Sequence, residues 1–456
     1  MRRLRTTWLL LAGLLAGCNS ISPALSLSDE SEVAGVRMQN AEAQPGDTEP
    51  KMEDAPKIES PLATTDAGLK ASVRLIGRIE ADAIMVSQTQ RDKALIGDLE
   101  NATGFRRLRL GAKGDIGDQV AYQTEFDFAT GNFVLRDTYL AVTKLPIVNE
   151  VRAGYFREPF SLEQLTSSNY FPFMERSPVN ALDPPRHWGA AFYTHTDDLR
   201  ATLAAGIFRS GTNNTGTDIT DNNDMAYTAR ATALPWNDTE GFAYRLFQVG
   251  GAFSQRYPKN NIVTFEQGPR SSLLQPASDN PLTPIVPNIA IPANQYQQYD
   301  LECLLILDSL SFQAEWTASY IEQIGGSPVF LHGSYAFVSY FLTGEHRQYD
   351  PVYASFRGTR VRRPFVCLAG QQQPRGLGAW ELVARFSYLN FDDPNLPLAA
   401  NGLKVGERLA TGTFGINWYL NDYARIMFNY SRNVPVDPNF GPSGADSFSL
   451  RCAVFW

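Results

Sequence analysis

The side chains with the clearest chemical potential in this sequence are basic residues at alternate positions. Arg107, Arg109 and Lys113 fall on one parity of a short segment, and Arg74 and Arg78 fall on one parity of the segment before it. In an extended chain, residues of one parity project to the same face. Guanidinium and ammonium groups gathered on a wet face attract small anions. These five residues are therefore the candidate anion-binding residues.

The same basic residues have a second interpretation, in which they pair with acids on neighbouring segments. Glu80 and Asp82 lie on the basic face of the first segment, while Glu125 and Asp127 share one face of the next alternating segment. Opposite charges across neighbouring strands stabilise a sheet without binding any solute. The sequence leaves both interpretations open.

The sequence contains no catalytic or metal-binding pattern. Its four histidines form no His-Glu-x-x-His pattern and accompany no cysteine cluster, and no Gly-x-Ser-x-Gly occurs. The cysteines after position 18, Cys303, Cys367 and Cys452, are too widely spaced to indicate a disulfide framework. We therefore expect no cofactor and no enzyme, an outer-membrane lipase included.

The elements that must position these side chains are strands with one apolar face. In the last segment the apolar residues share one parity; they are Phe448, Leu450, Cys452, Val454 and Trp456. A period of two indicates a strand, and an apolar face with aromatic residues at its ends is typical of a surface that meets lipid. Hydrophobic residues make up 43% of the chain, yet beyond residue 17 they never form a run that could span a membrane as a helix. The pattern predicts an all-β fold, a transmembrane antiparallel β-barrel.

Counting the alternating segments gives a barrel of about 16 strands. The predicted strands lie near 73–86, 105–113, 120–128, 133–144, 151–157, 187–196, 199–209, 225–234, 242–256, 297–308, 310–323 and 332–345, with four more between 378 and 456. Barrels of this size enclose an aqueous channel. Two proline-rich loops, 158–185 and 258–298, interrupt the strands. We expect the first of them to fold inward and narrow the lumen.

The N-terminal 67 residues differ in kind from the rest. Residues 1–17 combine a basic start with a short apolar stretch, which predicts a signal peptide. The end of that stretch, residues 15–18, is similar to a lipobox, so Cys18 is a candidate lipidated N-terminus; the alternative is an ordinary signal peptide. Residues 18–67 are rich in proline and acids, which predicts a disordered linker. The barrel domain is then 68–456, and it is only mildly acidic because the linker carries most of the negative charge.

Several long segments resemble the phosphate-selective porin O and P family. They are VRAGYFREPFSLEQLTSSNYFPFMER (151–176), FVSYFLTGEHRQY (337–349), GAWELVARFSYLNF (378–391) and NWYLNDYARIMFNY (417–430), together with the final aromatic residue. The resemblance covers the chain from about residue 70 to its end. It implies a sixteen-stranded outer-membrane barrel, commonly a homotrimer, with basic residues lining a narrowed pore that favours anions such as phosphate. The last strand also resembles the signal that the barrel-assembly machinery reads, through Phe448, Leu450, Val454 and Trp456.

Strand counting places a second basic cluster on the periplasmic side. If the first strand rises from the periplasm, the connection 346–377 lies on the periplasmic side, where turns are usually short. This connection is long and contains one acid, Asp350, against five arginines: Arg347, Arg357, Arg360, Arg362 and Arg363. We expect the segment to fold into the lumen and to supply much of its positive field. The alternative is a solvated periplasmic flap.

These features predict a porin for passive diffusion of small anions, embedded in outer-membrane lipid and without a nucleic-acid partner. The alternative on the same fold is a general or sugar-permeable porin without anion selectivity. A soluble secreted β-protein is disfavoured by the lipid-facing aromatic residues and by the terminal Trp456.

Overall fold

A computed structural model describes residues 70–91, 93, 98–129, 131, 133–211, 224–239, 244–267, 286–367, 375–396, 408–436 and 444–456. The predicted signal peptide (1–17), Cys18 and nearly all of the chain before the barrel, including the linker 18–67, lie outside these residues. Within them, the few helical turns are too short and too polar to cross a membrane.

The described residues form nineteen strands. They are β1 (Arg74–Gln88), β2 (Ala102–Ile116), β3 (Val120–Asp127), β4 (Val134–Leu145), β5 (Asn149–Arg157), β6 (Arg186–His195), β7 (Ala201–Arg209), β8 (Met225–Asp238), β9 (Arg245–Arg256), β10 (Ile262–Gln267), β11 (Val286–Leu307), β12 (Leu310–Gln323), β13 (Val329–Phe341), β14 (Tyr349–Asp350), β15 (Ser355–Phe356), β16 (Ala379–Asn390), β17 (Arg408–Asn421), β18 (Ala424–Pro435) and β19 (Ala445–Phe455). Sixteen of these described strands, all but β10, β14 and β15, close an antiparallel barrel in which β19 pairs with β1. The predicted fold class and strand number are confirmed.

The two faces of the barrel wall follow from the alternation in the sequence. On β2, Leu110 is 51% exposed and points away from the lumen, whereas the neighbouring Arg109 is 7% exposed. On β16, Phe386 is 61% exposed and Arg385 is 4% exposed. Successive side chains of a strand face opposite sides, so the apolar residues form the lipid-facing surface and the polar residues face the lumen.

Two boundaries differ from those predicted. The loop expected at 258–298 contains β10 and the first part of β11, which pair with each other from Ile262 opposite Pro292. Its prolines suggested a loop, but proline is tolerated at the edge of a sheet. The strand expected at 332–345 ends at Phe341. Gly344, with a φ of 92°, follows in a turn, and glycine is the residue that adopts this backbone conformation without strain.

The two rims of the barrel differ in the length of their connections. On one rim the turns 117–119, 146–148, 308–309 and 422–423 are short. In outer-membrane barrels the short turns face the periplasm and the long loops face outward. The start of β1, the end of β19 and the connection after β13 also lie on this short-turn rim, because the strands alternate in direction.

Two connections fold into the lumen and position the candidate site. The first, residues 158–185 between β5 and β6, is called the inward loop; it contains one turn of α-helix (α1, Leu162–Leu165) and a 3-10 turn at Pro178–Ala181. The second, residues 345–358 between β13 and β16, contains β14 and β15 and is called the turn-side hairpin. It enters from the short-turn rim, so the lumen is narrowed at two levels.

Candidate functional site in the barrel lumen

Two of the predicted anion-binding residues, Arg78 and Arg109, lie in the lumen wall but are paired with acids. They stand directly opposite each other across β1 and β2, and one carboxylate, Glu125, lies between them. Glu125 is 3.2 Å from Arg78 and 3.1 Å from Arg109. Arg109 also binds Asp127 at 2.8 Å, and Arg78 donates to the hydroxyl of Ser168 in the inward loop at 2.6 Å. These ion pairs are of the kind expected under the second interpretation of the sequence, in which the basic residues pair with acids on neighbouring strands.

Arg107 belongs to a second ion-pair network that reaches the inward loop. Its guanidinium lies 2.5 Å from Glu80, and Arg451 of β19 lies 3.1 Å from the same carboxylate. Glu175 of the inward loop joins them, 3.0 Å from Arg451, and accepts two hydrogen bonds from Arg106 at 2.7 and 2.9 Å. Burial alone would raise the pKa of Glu175, but the surrounding guanidiniums outweigh it and lower the pKa to about 2. Glu175 is therefore ionised and fastens the loop to the wall.

The remaining predicted basic residues lie toward the short-turn rim. Arg74 and Lys113 are half-buried and stand opposite each other across β1 and β2, and neither has a salt bridge within the described residues. Arg357 pairs with Asp350 at 2.9 Å, and Arg360 is half-buried.

Arg362 and Arg363 are exposed at the rim rather than enclosed in the lumen. This differs from the expectation that the whole segment lies inside. Val361 donates its backbone N–H to Asp422, and Phe365 donates to the carbonyl of Leu420. These hydrogen bonds attach the part of the connection that follows the turn-side hairpin to the β17–β18 turn, so this part lies at the rim and not in the lumen.

Sequence reasoning missed a set of arginines that bind backbone carbonyls of the inward loop. Arg425 of β18 is 2% exposed and donates to the carbonyls of Ser168 and Phe171 at 2.8 and 2.9 Å. Arg347 donates to the carbonyl of Tyr170 at 3.2 Å, and its guanidinium lies 3.6 Å from the centre of the Phe356 ring. Each of these two arginines holds the tip of the inward loop from the side of the short-turn rim.

Two further arginines clamp the base of the loop in the same way. Arg157 donates to the carbonyls of Gln164 and Thr166, and Arg176 donates to those of Glu163 and Thr166 at 2.9 and 2.7 Å. In the part of the chain that the structure describes, none of Arg157, Arg176, Arg347 and Arg425 forms a salt bridge. We call these four the carbonyl-bound arginines. A carbonyl is neutral, so the groups that these arginines contact directly do not cancel their charges.

Three nitrogen atoms of this set have no hydrogen-bond partner among the described residues: Nη1 of Arg347 and Nε of Arg157 and of Arg425. All three atoms are buried, and Arg347 as a whole is 3% exposed. A buried guanidinium N–H without a partner is unusual, because buried polar groups are nearly always hydrogen-bonded. The sequence did contain one signal for this set: Arg425 lies on the polar parity of its strand. The backbone carbonyls that accept these hydrogen bonds could not be predicted from the sequence.

The turn-side hairpin is held against an apolar part of the lumen wall. Tyr349, Ala354 and Phe356 pack on inward-facing leucine and isoleucine side chains of β8, β9 and β11, which are Leu234, Leu246, Leu304 and Ile306. Arg230 of β8 donates to the carbonyl of Ala354 at 2.8 Å. These apolar residues face inward, and the hairpin covers them.

A cleft remains between the inward loop and strands β1 and β16–β19. Its lining residues are Asp82, Ile84, Met174, Glu175, Arg385, Thr413, Asn429, Ser431, Ser447 and Ser449. Half of these residues carry a hydroxyl or amide group, and three are charged.

Comparisons with known proteins agree with this architecture. The sequence model of the family described as phosphate-selective porin O and P matches residues 73–436. The chain is 26% identical to Porin O of Pseudomonas aeruginosa over 428 residues, which span 86% of this chain and 89% of that protein.

Solved structures of outer-membrane proteins are also similar. OmpT of Vibrio cholerae is 11% identical with a TM-score of 0.49, covering 88% of this chain and 100% of that one. The outer-membrane channel DcaP of Acinetobacter baumannii is 13% identical with a TM-score of 0.44, covering 86% of this chain and 99% of that one.

Proposed function

We propose that this chain, which belongs to the phosphate-selective porin O and P family, passes small anions such as phosphate through the lumen of its barrel. Membership of that family and the closed barrel make it an outer-membrane porin of a Gram-negative bacterium, a channel and not an enzyme. The description of the family as phosphate-selective supports phosphate as the solute.

The observation that carries the proposed anion selectivity is the set of four carbonyl-bound arginines around the inward loop. Many other lumen arginines, such as Arg78 and Arg109, lie beside carboxylates that cancel their field. The carbonyl-bound arginines keep their positive charge where the loop narrows the lumen. A positive field inside a low-dielectric wall raises the local concentration of anions. Arg347, whose Nη1 is unpartnered among the described residues, contributes to this field from the turn-side hairpin.

The basic residues nearer the short-turn rim have a second role in this proposal. Arg74 and Lys113 on the wall, with Arg357 in the hairpin, Arg360 just after it and Arg362 and Arg363 on the rim, would draw anions toward the periplasmic mouth. Arg107, with Arg78 and Arg109, would keep the wall rigid through its ion pairs instead of holding the solute.

The test is the reversal potential of single channels in a salt gradient. We expect the wild-type channel to prefer anions and Arg347→Gln to reduce the anion-to-cation permeability ratio severalfold, most strongly at low salt, where screening is weak. Arg347→Lys is the matched control, because it keeps the charge and should retain most of the ratio. An unselective wild-type channel would favour the general or sugar-permeable porin, and an unchanged ratio in Arg347→Gln would remove Arg347 from the mechanism.

We also propose the assembly that the family resemblance implies. The chain would form a homotrimer in outer-membrane lipid, and the barrel-assembly machinery would recognise β19. The outward exposure of Phe448, Val454 and Trp456 supports this role for the last strand. Lipidation of Cys18 remains a proposal that mass spectrometry of the mature chain can test.

A further inference from the structure

A buried acidic cluster on β11 and β12 lies outside the contacts described so far. Asp300 and Glu302 of β11 and Glu315 of β12 are each no more than 4% exposed. One oxygen of each lies within 4.8 Å of one from each of the others. Glu302 and Glu315 stand directly opposite each other in the sheet. Like charges at directly opposed positions destabilise a sheet, so this arrangement needs a positive charge close by.

The protein's own cations compensate only part of this charge. Arg230 neutralises Glu302 through bonds of 2.6 and 3.1 Å. Within the described residues, Asp300 and Glu315 have no salt bridge. Glu315 accepts hydrogen bonds from neutral groups of the inward loop instead, the Ser161 hydroxyl and the Glu163 N–H, each at 2.7 Å. Asp300 and Glu315 are therefore buried without a guanidinium or ammonium group at salt-bridge distance in the described residues.

A fourth carboxyl group faces the cluster from the inward loop. Asp183 approaches Asp300 across the hydroxyl of Thr317, which lies 3.0 Å from Asp300 and 3.5 Å from Asp183. Burial raises the pKa of Asp183 to about 7, so this group adds less than a full negative charge at neutral pH. No cation enters the cluster with it.

Unpartnered oxygens next to the cluster give independent evidence for a ligand. Oδ2 of Asp300 has no hydrogen-bond partner in the described residues, and the same holds for the amide oxygens of Gln248 and Gln313. Both amides lie against the cluster: Gln248 donates to Glu302 at 2.6 Å and Gln313 donates to Glu315 at 3.0 Å. Both glutamines are no more than 1% exposed. Buried oxygens without donors are costly, and a cation would satisfy them.

We propose that Asp300, Glu302 and Glu315 bind one divalent cation of the calcium type. All the available donors are oxygen atoms, which Ca²⁺ prefers, at distances of roughly 2.3–2.6 Å and in irregular arrangements. Two ligands about 2.4 Å from one ion are at most about 4.8 Å apart, in agreement with the span of the cluster.

The position of the cation gives it a role in the channel. Glu315 holds the start of the inward loop through Ser161 and Glu163, and Gln298 of β11 donates to the carbonyl of Leu182 near the end of that loop at 2.5 Å. A cation on β11 and β12 would stiffen the wall to which both ends of the loop are attached. It would also add positive charge beside the constriction. This inference is independent of which anion the channel passes.

Calcium binding can be measured on the full chain refolded from denaturant into detergent, which removes lipopolysaccharide as a competing calcium ligand. After EDTA treatment and gel filtration, we expect one Ca²⁺ per folded barrel at micromolar to millimolar free Ca²⁺, and a rise in the thermal unfolding midpoint. Asp300→Asn should weaken binding at least tenfold. Glu322→Gln, which removes a carboxylate of β12 outside the cluster, is the matched control and should bind as the wild type does.

Two outcomes would overturn the proposal. One is a folded wild-type barrel that binds no Ca²⁺ at millimolar concentration; the other is Asp300→Asn binding as tightly as the wild type. If Asp300→Asn does not fold, Tb³⁺ serves as a probe on the wild type, because Tyr335 donates a hydrogen bond to Glu315 and can sensitise its luminescence. A Tyr-sensitised Tb³⁺ signal that Ca²⁺ displaces supports the site, and its absence contradicts it.

Discussion

At the residue scale, the partner of each buried arginine decides what that arginine does. Arg109 lies beside two carboxylates, so its charge is cancelled within the wall. Arg425 lies beside two carbonyls of the inward loop, so it both holds the loop and keeps its charge. The same side chain thus contributes rigidity in one place and a positive field in the other.

Replacing Arg425 with glutamine should therefore loosen the inward loop. The change removes charged donors from the carbonyls of Ser168 and Phe171, and a hydrogen bond to a charged group contributes about 1.5–3 kcal/mol. We expect the free energy of unfolding in urea to fall by about 3 kcal/mol and the single-channel conductance to rise. Arg432→Gln is the control on the same strand, since Arg432 is exposed and its partners among the described residues are Asp446 and the Tyr430 hydroxyl beside it. Equal effects of the two substitutions would show that the carbonyl contacts do not hold the loop.

At the element scale, the turn-side hairpin carries apolar side chains that pack on apolar side chains of the lumen wall. Porin walls are generally polar on the lumen side, but Leu234, Leu246 and Leu304 face inward here. The hairpin buries these side chains with Tyr349 and Phe356. Burial of apolar side chains of this size is worth roughly 1.5–3 kcal/mol each, so the hairpin is held in the lumen.

Removal of the hairpin should widen the channel from the periplasmic side. We expect replacement of residues 347–357 by a short Gly-Ser linker to raise the single-channel conductance while the barrel still folds, because no barrel strand includes these residues. A Gly-Ser replacement of the exposed residues 118–119, in a turn on the same rim, is the control and should leave conductance unchanged. Conductance that stays at the wild-type value without the hairpin would show that it does not narrow the conducting path.

At the scale of the whole molecule, barrel closure depends on the last residue meeting the first strand. The backbone of Trp456 exchanges two hydrogen bonds with Gly77 of β1, at 3.1 and 3.2 Å. A Cβ on Gly77 would lie 2.4 Å from the Trp456 ring, so glycine is required for this approach. Closure satisfies the edges of β1 and β19, which could not stay unpaired in lipid.

Deletion of Trp456 should lower the fraction of refolded chains that reach the closed barrel, seen as heat-modifiable mobility on a gel. It removes the two hydrogen bonds to Gly77, at one end of the β1–β19 pairing, and an aromatic residue of the lipid-facing surface. Channels that do form should keep the wild-type conductance, because Trp456 lies outside the lumen. Trp236→Ala is the control: this tryptophan is similarly exposed on the outer face of β8 but takes no part in closure. A normal folded fraction after deletion would contradict the role of the last residue.

The sequence by itself determined the barrel, its approximate strand number and the face of each strand. These properties are local, because an alternation with a period of two involves only residues that are close in sequence. Leu110 and Arg109 show it directly, since the parity of each residue is enough to assign it to lipid or lumen. The inward course of loop 158–185 and the unusual length of connection 346–377 were also visible, as departures from the pattern.

Only the tertiary structure decided which groups meet inside the lumen. Arg451 binds Asp82 and Arg425 binds the carbonyl of Ser168, across 369 and 257 residues of sequence. The sequence identifies Arg425 as a hydrogen-bond donor. It does not identify the acceptor, because the acceptor is a backbone carbonyl and every residue carries one. The opposition of Glu302 and Glu315 depends likewise on the register of β11 and β12. Alternation assigns a residue to a face, whereas register and loop path set its neighbours, and those neighbours determine the field and the ligands of the pore.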